Sequence, residues 1–311
     1  MRVTSNSFSS DLINQLGSLS SRQTRLQNQA ASGQSMRTLE ENPVAMGRVV
    51  NWQSEANAVA QYQRNIDSQK RVAEATYGAI QSLKRISDRA GEIAVLADGL
   101  KSPEEMASYA AEVTQLLKQA VQLGNTKNNG NYLFAGTQSD QPPFTATENA
   151  DGTVASVSYG GNTEVSEVEM AEGVTLAAQT VGSNSSGSGP RGLIADSRAG
   201  ADLFNHLISL QNHLVANDSA AVAASDRPQL EQDEENLLFH VASNASIQGR
   251  LEASAAMAEV RSSSLEKSVS SEADADLAET LVRLGQTQTA YQAALQTGAK
   301  ILNLSLLDYL R

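Results

Sequence analysis

The side chains best suited to chemistry are three histidines, His206, His213 and His240, in a chain of 311 residues that has no cysteine. Imidazole is the commonest metal ligand and the side chain that titrates nearest neutrality. His206 and His213 are seven residues apart, which puts them on one helix face but about 10 Å apart along its axis, too far to chelate one ion. His240 falls in another segment, so all three read as surface or interhelical histidines. The run Asp233-Glu234-Glu235 reads as the solvated first turn of a helix, because no cleft-forming pattern surrounds it to make an acid–base pair. Without cysteine, disulfides, thiol catalysis and thiolate metal sites are excluded. There is no Gly-x-x-x-x-Gly-Lys-[Ser/Thr] phosphate loop, and the many serines lack a nucleophile-elbow context. Asn184-Ser185-Ser186 matches a glycosylation sequon, which reads as chance without a secretory signal. Trp52, at helical spacing, reads as a packing anchor. These residues predict no catalytic, cofactor or metal site, and so no enzyme.

The elements that would have to position a site are helices with seven-residue apolar rhythm at both ends of the chain. Near the C-terminus the column is Leu277, Leu281, Leu284, Gln288, Tyr291, Leu295, Gly298, Leu302, Ser305 and Tyr309. Near the N-terminus it is Leu12, Leu16, Leu19, Gln23, Leu26 and Ala30. Helices that keep such a repeat wrap each other left-handedly. The two ends are therefore expected to pack together, with the middle as an insertion. That plan suits a subunit of an assembly better than a catalyst. Aromatics make up only 4% of the chain and prolines number 6, which favours long helices with narrow seams over a thick core.

Charge is unevenly spread. Residues 1–101 carry 12 Lys and Arg against 9 Asp and Glu, whereas residues 102–311 carry 11 against 26. From Asn128 to Pro190 there is no basic residue. A nucleic-acid partner is not expected, since no basic face exists to neutralise phosphates. The acidic surplus serves solubility, or lets the slightly basic N-terminal part pair with the acidic C-terminal part. No run approaches 18 apolar residues, so no membrane span is predicted, and the polar first ten residues contain no signal-peptide core.

Along the chain, a first helix is predicted to end at Gly33. Asn42-Pro43 then forms a good start for a long helix to Leu100, with the column Trp52, Val59, Ile66, Ala73 and Ile80. Its roughly 55 residues would reach about 80 Å, too long for one compact domain. Ser102-Pro103-Glu104-Glu105 caps a third helix with the stripe Met106, Tyr109, Val113, Leu116, Ala120 and Leu123, ending at Gly124. Residues 132–176, with turn signals and alternation, predict a small antiparallel β domain. Gly182–Gly189 predicts a flexible linker or mobile loop. Helices resume near Asp202, break at Ser225-Asp226-Arg227-Pro228, and continue along Leu237, Val241, Asn244, Gln248, Leu251, Ala255, Ala258, Ser262, Leu265 and Val269. Ser270–Asp276 is a last polar break. Amides inside these seams read equally as imperfect packing or as devices that fix register and partner at a cost in stability.

Several segments resemble one family. Gly33-Gln-Ser-Met-Arg-Thr-Leu-Glu-Glu-Asn-Pro-Val-Ala45 is similar to the Asn-Pro stretch that follows the first helix of bacterial flagellin-like axial proteins, without its paired aspartates. Asn129-Gly-Asn-Tyr-Leu-Phe-Ala-Gly-Thr-Gln-Ser-Asp-Gln-Pro-Pro-Phe144 resembles their Gly-x-Tyr-[Ile/Leu]-Phe-[Ala/Gly]-Gly…Pro-Phe signature. Ser246-Ile-Gln-Gly-Arg-Leu-Glu252 and Leu304-Ser-Leu-Leu-Asp-Tyr-Leu310 are similar to the returning long helix and the C-terminal helix. The signature residues are thus Asn42, Pro43, Tyr132, Phe134, Gly136 and Arg250. Within that group the similarity is greatest to the hook-associated protein 3 family of the hook–filament junction. The Asp-Asp-Ala-Ala-Gly-type motif of flagellin itself is absent.

The resemblance implies a mainly α fold. A long antiparallel helical bundle or coiled coil would be formed by both chain ends, with a small antiparallel β domain inserted. It divides the chain into terminal helices (1–42 with 270–311), a long-helix domain (43–131 with 200–269) and a β-containing outer domain (132–199). It implies a structural protein without an active site, exported unfolded through the flagellar type III apparatus to the outside of the bacterium. The terminal helices would be disordered in the monomer and form the inner layer of a tube. Their assembly residues would be Leu12, Leu16, Leu19, Leu26, Leu277, Leu281, Leu284, Tyr291, Leu295, Leu302 and Tyr309. The implied partners are a ring of like subunits, another hook-associated protein on the hook side, flagellin on the filament side, and an export chaperone on the C-terminal helix. The rival readings are flagellin itself and a soluble coiled-coil scaffold dimer.

Overall fold

The computed structural model describes the backbone of residues 4–36 and 41–309, and the side chains of residues 10–36 and 41–300. The stretch Arg37–Glu40 of the Asn-Pro segment, and the side chains of Leu302, Ser305 and Tyr309, lie outside the described part. Seven α-helices account for most of the fold: α1 (Thr4–Ser32), α2 (Pro43–Leu96), α3 (Pro103–Gly124), α4 (Leu203–Val215), the single turn α5 (Ser219–Ala221), α6 (Arg227–Ala273) and α7 (Leu277–Tyr309). The caps read from sequence are in place. Asn42 Oδ1 accepts the Ala45 N–H at 3.1 Å, with Pro43 as the first helical residue. Ser102 and Glu105 form a complete capping box around Pro103. α2 ends at Leu96, four residues short of the expected Leu100, because Asp98 accepts the Leu100 N–H and starts a turn.

The chain forms two compact units. One comprises Met1–Ala58 and Val260–Arg311, the other Val59–Glu259, so both boundaries fall inside the long helices α2 and α6. In the second unit the seven-spaced column of α2 is buried at Val59, Ile66, Ala73 and Ile80. α2 and α6 run antiparallel: Lys84 pairs with Glu234 at 3.1 Å, and Arg227 donates to the carbonyls of Ala94 and Val95. α3 packs on α4, and Leu207, Leu210, Leu214, Val113 and Leu117 share one core with α2 and α6.

The β segments are short, and Phe144 and Val154 from two of them join that same core. β1 (Lys127–Asn128) pairs with β2 (Asn131–Tyr132), β3 (Phe144–Glu148) with β4 (Val154–Tyr159), and β5 (Val168–Ala171) with β6 (Val174–Leu176), all antiparallel. A fourth small arrangement joins β7 (Ser183–Asn184) in parallel to β8 (Ala195–Asp196), which pairs antiparallel with β9 (Ala201–Asp202). Phe144 meets the Phe204 ring edge-on at 5.0 Å and Tyr159 at 5.1 Å, anchoring the first large hairpin to α4.

Three expectations are corrected here. Gly182–Gly189 is an ordered loop, not a free linker. Asn184 is buried, donates to the carbonyls of Ser188 and Pro190, and accepts from Ser186, so one side chain closes the loop. The expected break at Ser225–Pro228 is a wide helical turn, Val222–Asp226, that leads straight into α6. An i→i+5 turn leaves room for Pro228, which lacks an N–H. Asp233 is not solvated: it is 1% exposed and faces α4.

Candidate assembly interface

The first unit is built on the pairing of α1 with α7. On α1 the predicted column is the covered one: Leu12, Leu16, Leu19, Gln23 and Ala30 are half-buried and Leu26 is buried. The two chain breaks at its base are stitched together. Ser35 N–H donates to the Ala273 carbonyl at 2.7 Å, and Ala275 N–H donates to the Gly33 carbonyl at 2.8 Å. Gly33, at φ 71, closes α1 in the left-handed conformation that glycine adopts without strain. Asp276 then caps α7 by accepting the Glu279 N–H at 3.0 Å. Beside this stitch, Arg22, Arg25, Arg283, Asp274, Asp276 and Glu279 line a cleft of about 200 Å³. Near it, Arg48 pairs with Glu272 at 2.6 Å and Glu55 pairs with Arg261, tying the start of α2 to the end of α6.

On α7 the covered face is rotated from the predicted column. Thr280, Thr287 and Gly298 are buried, and Leu284, Gln288, Tyr291 and Ala294 are half-buried. Leu277, Leu281 and Leu295 stay 48%, 58% and 45% exposed. At 100° per residue these three lie along one edge of the seam, so a strip of leucine runs beside the α1 contact with nothing on it. Thr287 satisfies its hydroxyl by donating to the Arg283 carbonyl at 2.7 Å, which lets a polar residue sit in the seam. Gly298 lies at a close approach: a Cβ there would lie 2.6 Å from Leu12 Cδ2, so the Leu12 side chain would have to move. Gly298→Val is therefore expected to push Leu12 out and weaken the α1–α7 pairing by about 1–3 kcal/mol. Amide hydrogen exchange would read this as roughly 10- to 100-fold faster exchange in α1, with α4 unchanged.

The signature residues are structural. Phe134 is fully buried, and its carbonyl accepts the Gly182 N–H at 2.8 Å. Gly136, at φ 67, leaves no room for a Cβ against Asn162. Tyr132 lies under the Lys127 ammonium at 4.4 Å, and Arg250 is exposed on α6.

The chemistry-bearing residues lie in the second unit and hold helices together. His206 Nδ1 meets Asp233 Oδ2 at 2.8 Å, and Asp233 also accepts the Asp202 N–H. His213 Nδ1 meets Asp226 Oδ2 at 2.8 Å, while Ser209 donates to the other Asp226 oxygen at 2.7 Å. Ser209 thus donates to a carboxylate rather than to a histidine. Sequence reasoning missed both buried aspartates, because their partners His206 and His213 lie on a different element and no local spacing marks the pairing. Burial pushes the Asp233 carboxyl up to about 6 against the pull of His206. Burial pulls His206 down, but the bond to Asp233 together with the negative charges of Asp233, Asp202 and Asp226 raises its pKa. Burial also pushes Asp196 up, yet Arg198 and the backbone amides of Gly192 and Arg198 hold it at about 2. His240 is buried, donates through Nε2 to the Gly192 carbonyl at 3.0 Å, and is lowered by burial to about 4. Among the described residues no group of three or more His, Asp or Glu could hold a metal, and no helix is long and apolar enough to cross a membrane.

Residues 3–139 match the sequence model of the bacterial flagellin N-terminal helical region. No curated protein sequence matches the chain. Among solved structures, a putative flagellar hook-associated protein from Vibrio parahaemolyticus is 20% identical with a TM-score of 0.63, and the match covers 75% of this chain and 100% of that one. FlgL of Bacillus cereus is 20% identical with a TM-score of 0.56, covering 71% and 99%. Flagellar hook-associated protein-3 from Legionella pneumophila is 16% identical with a TM-score of 0.52, covering 76% and 99%. Residues 3–139 are thus similar to the bacterial flagellin N-terminal helical region, and the chain shares the fold of flagellar hook-associated proteins.

Proposed function

We propose that this chain is a structural, non-enzymatic subunit of the bacterial flagellum that joins the hook to the filament. The observation that carries the reading is the leucine strip Leu277, Leu281 and Leu295, left exposed on α7 beside its seam with α1. Apolar surface in that arrangement is satisfied by neighbouring subunits. The flagellin N-terminal match and the fold shared with hook-associated proteins support the setting.

In this reading α1 and α7 form the inner layer of a ring of like subunits and gain their full order only on assembly. By sequence spacing, Leu302 and Tyr309, whose side chains lie outside the described part, belong to the same seven-residue column. The ring meets another hook-associated protein on one side and flagellin on the other. The chain leaves the cell unfolded through the flagellar export apparatus, with a chaperone covering α7 beforehand.

The flagellin N-terminal match fits a filament subunit equally, so the test must separate the two. Purified protein is to be added to isolated hooks carrying the preceding hook-associated protein, then supplied with flagellin and followed by electron microscopy. A junction subunit forms a short cap and lets filament grow beyond it. Long filaments of this chain alone would make it flagellin instead. A stable two-chain particle in solution, with no binding to hooks, would make it a scaffold dimer.

A further inference from the structure

Among the described residues three buried side-chain atoms have no hydrogen-bond partner, Gln229 Oε1 at the start of α6 and, farther along the α2–α6 seam, one on Thr76 and one on Asn244. Thr76 is 0% exposed and Asn244 is 2% exposed. Thr76 Oγ1 and Asn244 Nδ2 find no hydrogen-bond partner among the described residues. Both lapses are unusual for their positions. Thr114, on another buried helix face, donates to its own Ala110 carbonyl at 2.8 Å, which Thr76 does not do. Asn244 Oδ1 is taken by Gln248 Nε2 at 2.7 Å, while the other half of the same amide is bare.

The register of the helix pair brings the two together. Stepping along the antiparallel helices from Lys84–Glu234, and from Arg227 at the Ala94 carbonyl, brings Thr76 and Asn244 to the same level. The neighbouring seam position, Ala73, is small and fully buried, so the level is apolar around the two polar groups. An amide N–H only donates and a hydroxyl oxygen both donates and accepts. A polar gap between such groups suits a small molecule that accepts from one and donates to the other.

We propose that Thr76 and Asn244 form an internal water site. One ordered water accepts from Asn244 Nδ2, bonds Thr76 Oγ1, and ties α2 to α6 at this level. Leaving either group bare in an apolar seam costs more than holding one water there. The site also fixes register, because sliding either helix by a turn separates the two side chains.

The test uses the full-length chain. Thr76→Val, nearly the same shape, removes one partner and strands the other. It is expected to lower the melting temperature of the second unit by roughly 3–8 °C. Thr76→Ser, which keeps the hydroxyl, is expected to melt close to the parent. Asn244→Leu lowers the melting temperature too, but adding Thr76→Val to it costs little more, because both partners of the water are then gone. In the parent, the Asn244 side-chain amide shows a cross-peak to a long-lived water in nuclear magnetic resonance, and Thr76→Val loses it. A Thr76→Val chain that melts higher than the parent would mean the seam is dry. So would strictly additive losses in the double variant, or no bound-water signal at Asn244. Any of these overturns the proposal.

Discussion

Replacing Leu277, Leu281 and Leu295 together by glutamine is expected to leave a chain that folds but does not assemble. The three side chains are about half exposed, so what remains to be buried amounts to about 2–4 kcal/mol of apolar transfer, or roughly a 30- to 1000-fold loss of affinity between subunits. Glutamine keeps helix propensity and charge, so α7 itself is not penalised. The α1 contact is spared, because it rests on Thr280, Leu284, Thr287, Tyr291 and Gly298. The melting of the second unit is spared as well, since its core contains none of the three. Cells carrying the triple variant as their only copy are expected to release it into the medium and to lack attached filaments. The direct measurement is binding of purified variant to isolated hooks against the parent chain. Equal binding would show that the leucine strip is ordinary exposed surface.

The same strip shows how far the sequence reaches. The four–three spacing revealed that α1 and α7 carry apolar stripes, and on α1 the expected column is the covered one. On α7 the spacing located the stripe but not its rotation. The face that meets α1 is lined partly by Thr280, Thr287 and Gly298, which no hydropathy pattern selects. Small or self-satisfied residues permit close helix approach, and that is decided by the partner rather than by local sequence. Caps were legible at Asn42 and Ser102 because they depend on neighbours within one turn. Asp226 and Asp233 were illegible for the opposite reason. Their partners, His213 and His206, lie on α4, and only the tertiary fold converts an apparently solvated acidic run into a buried clamp. The Gly- and Ser-rich loop failed on one residue: composition predicts freedom, and Asn184 alone removes it.

The histidine that the sequence left without a role should dominate the acid response of the second unit. His240 is 5% exposed, and its pKa falls to about 4 from the ordinary 6.5. Between these values the unfolded chain binds a proton that the folded chain refuses, so this residue's contribution to stability is lost as pH falls from about 6.5 to about 4. The gap corresponds to about 3 kcal/mol. Asp233 acts in the opposite sense. Its raised pKa makes the folded chain hold the extra proton, so its contribution is lost as pH rises through about 6. The raised pKa of His206 adds to that loss on the alkaline side. Over the range where the two effects overlap, the parent chain therefore shows a flattened pH profile that hides both. His240→Gln separates them, because glutamine can still donate to the Gly192 carbonyl but cannot charge. Denaturant unfolding of parent and variant between pH 4 and pH 8 is expected to give a constant offset above about pH 7. Below it the balance shifts toward the variant, by about 3 kcal/mol at pH 4. Arg191, whose charge opposes protonation of His240, stays in place in both chains. A difference that does not change with pH would show that the imidazole is free to take its proton in the folded state.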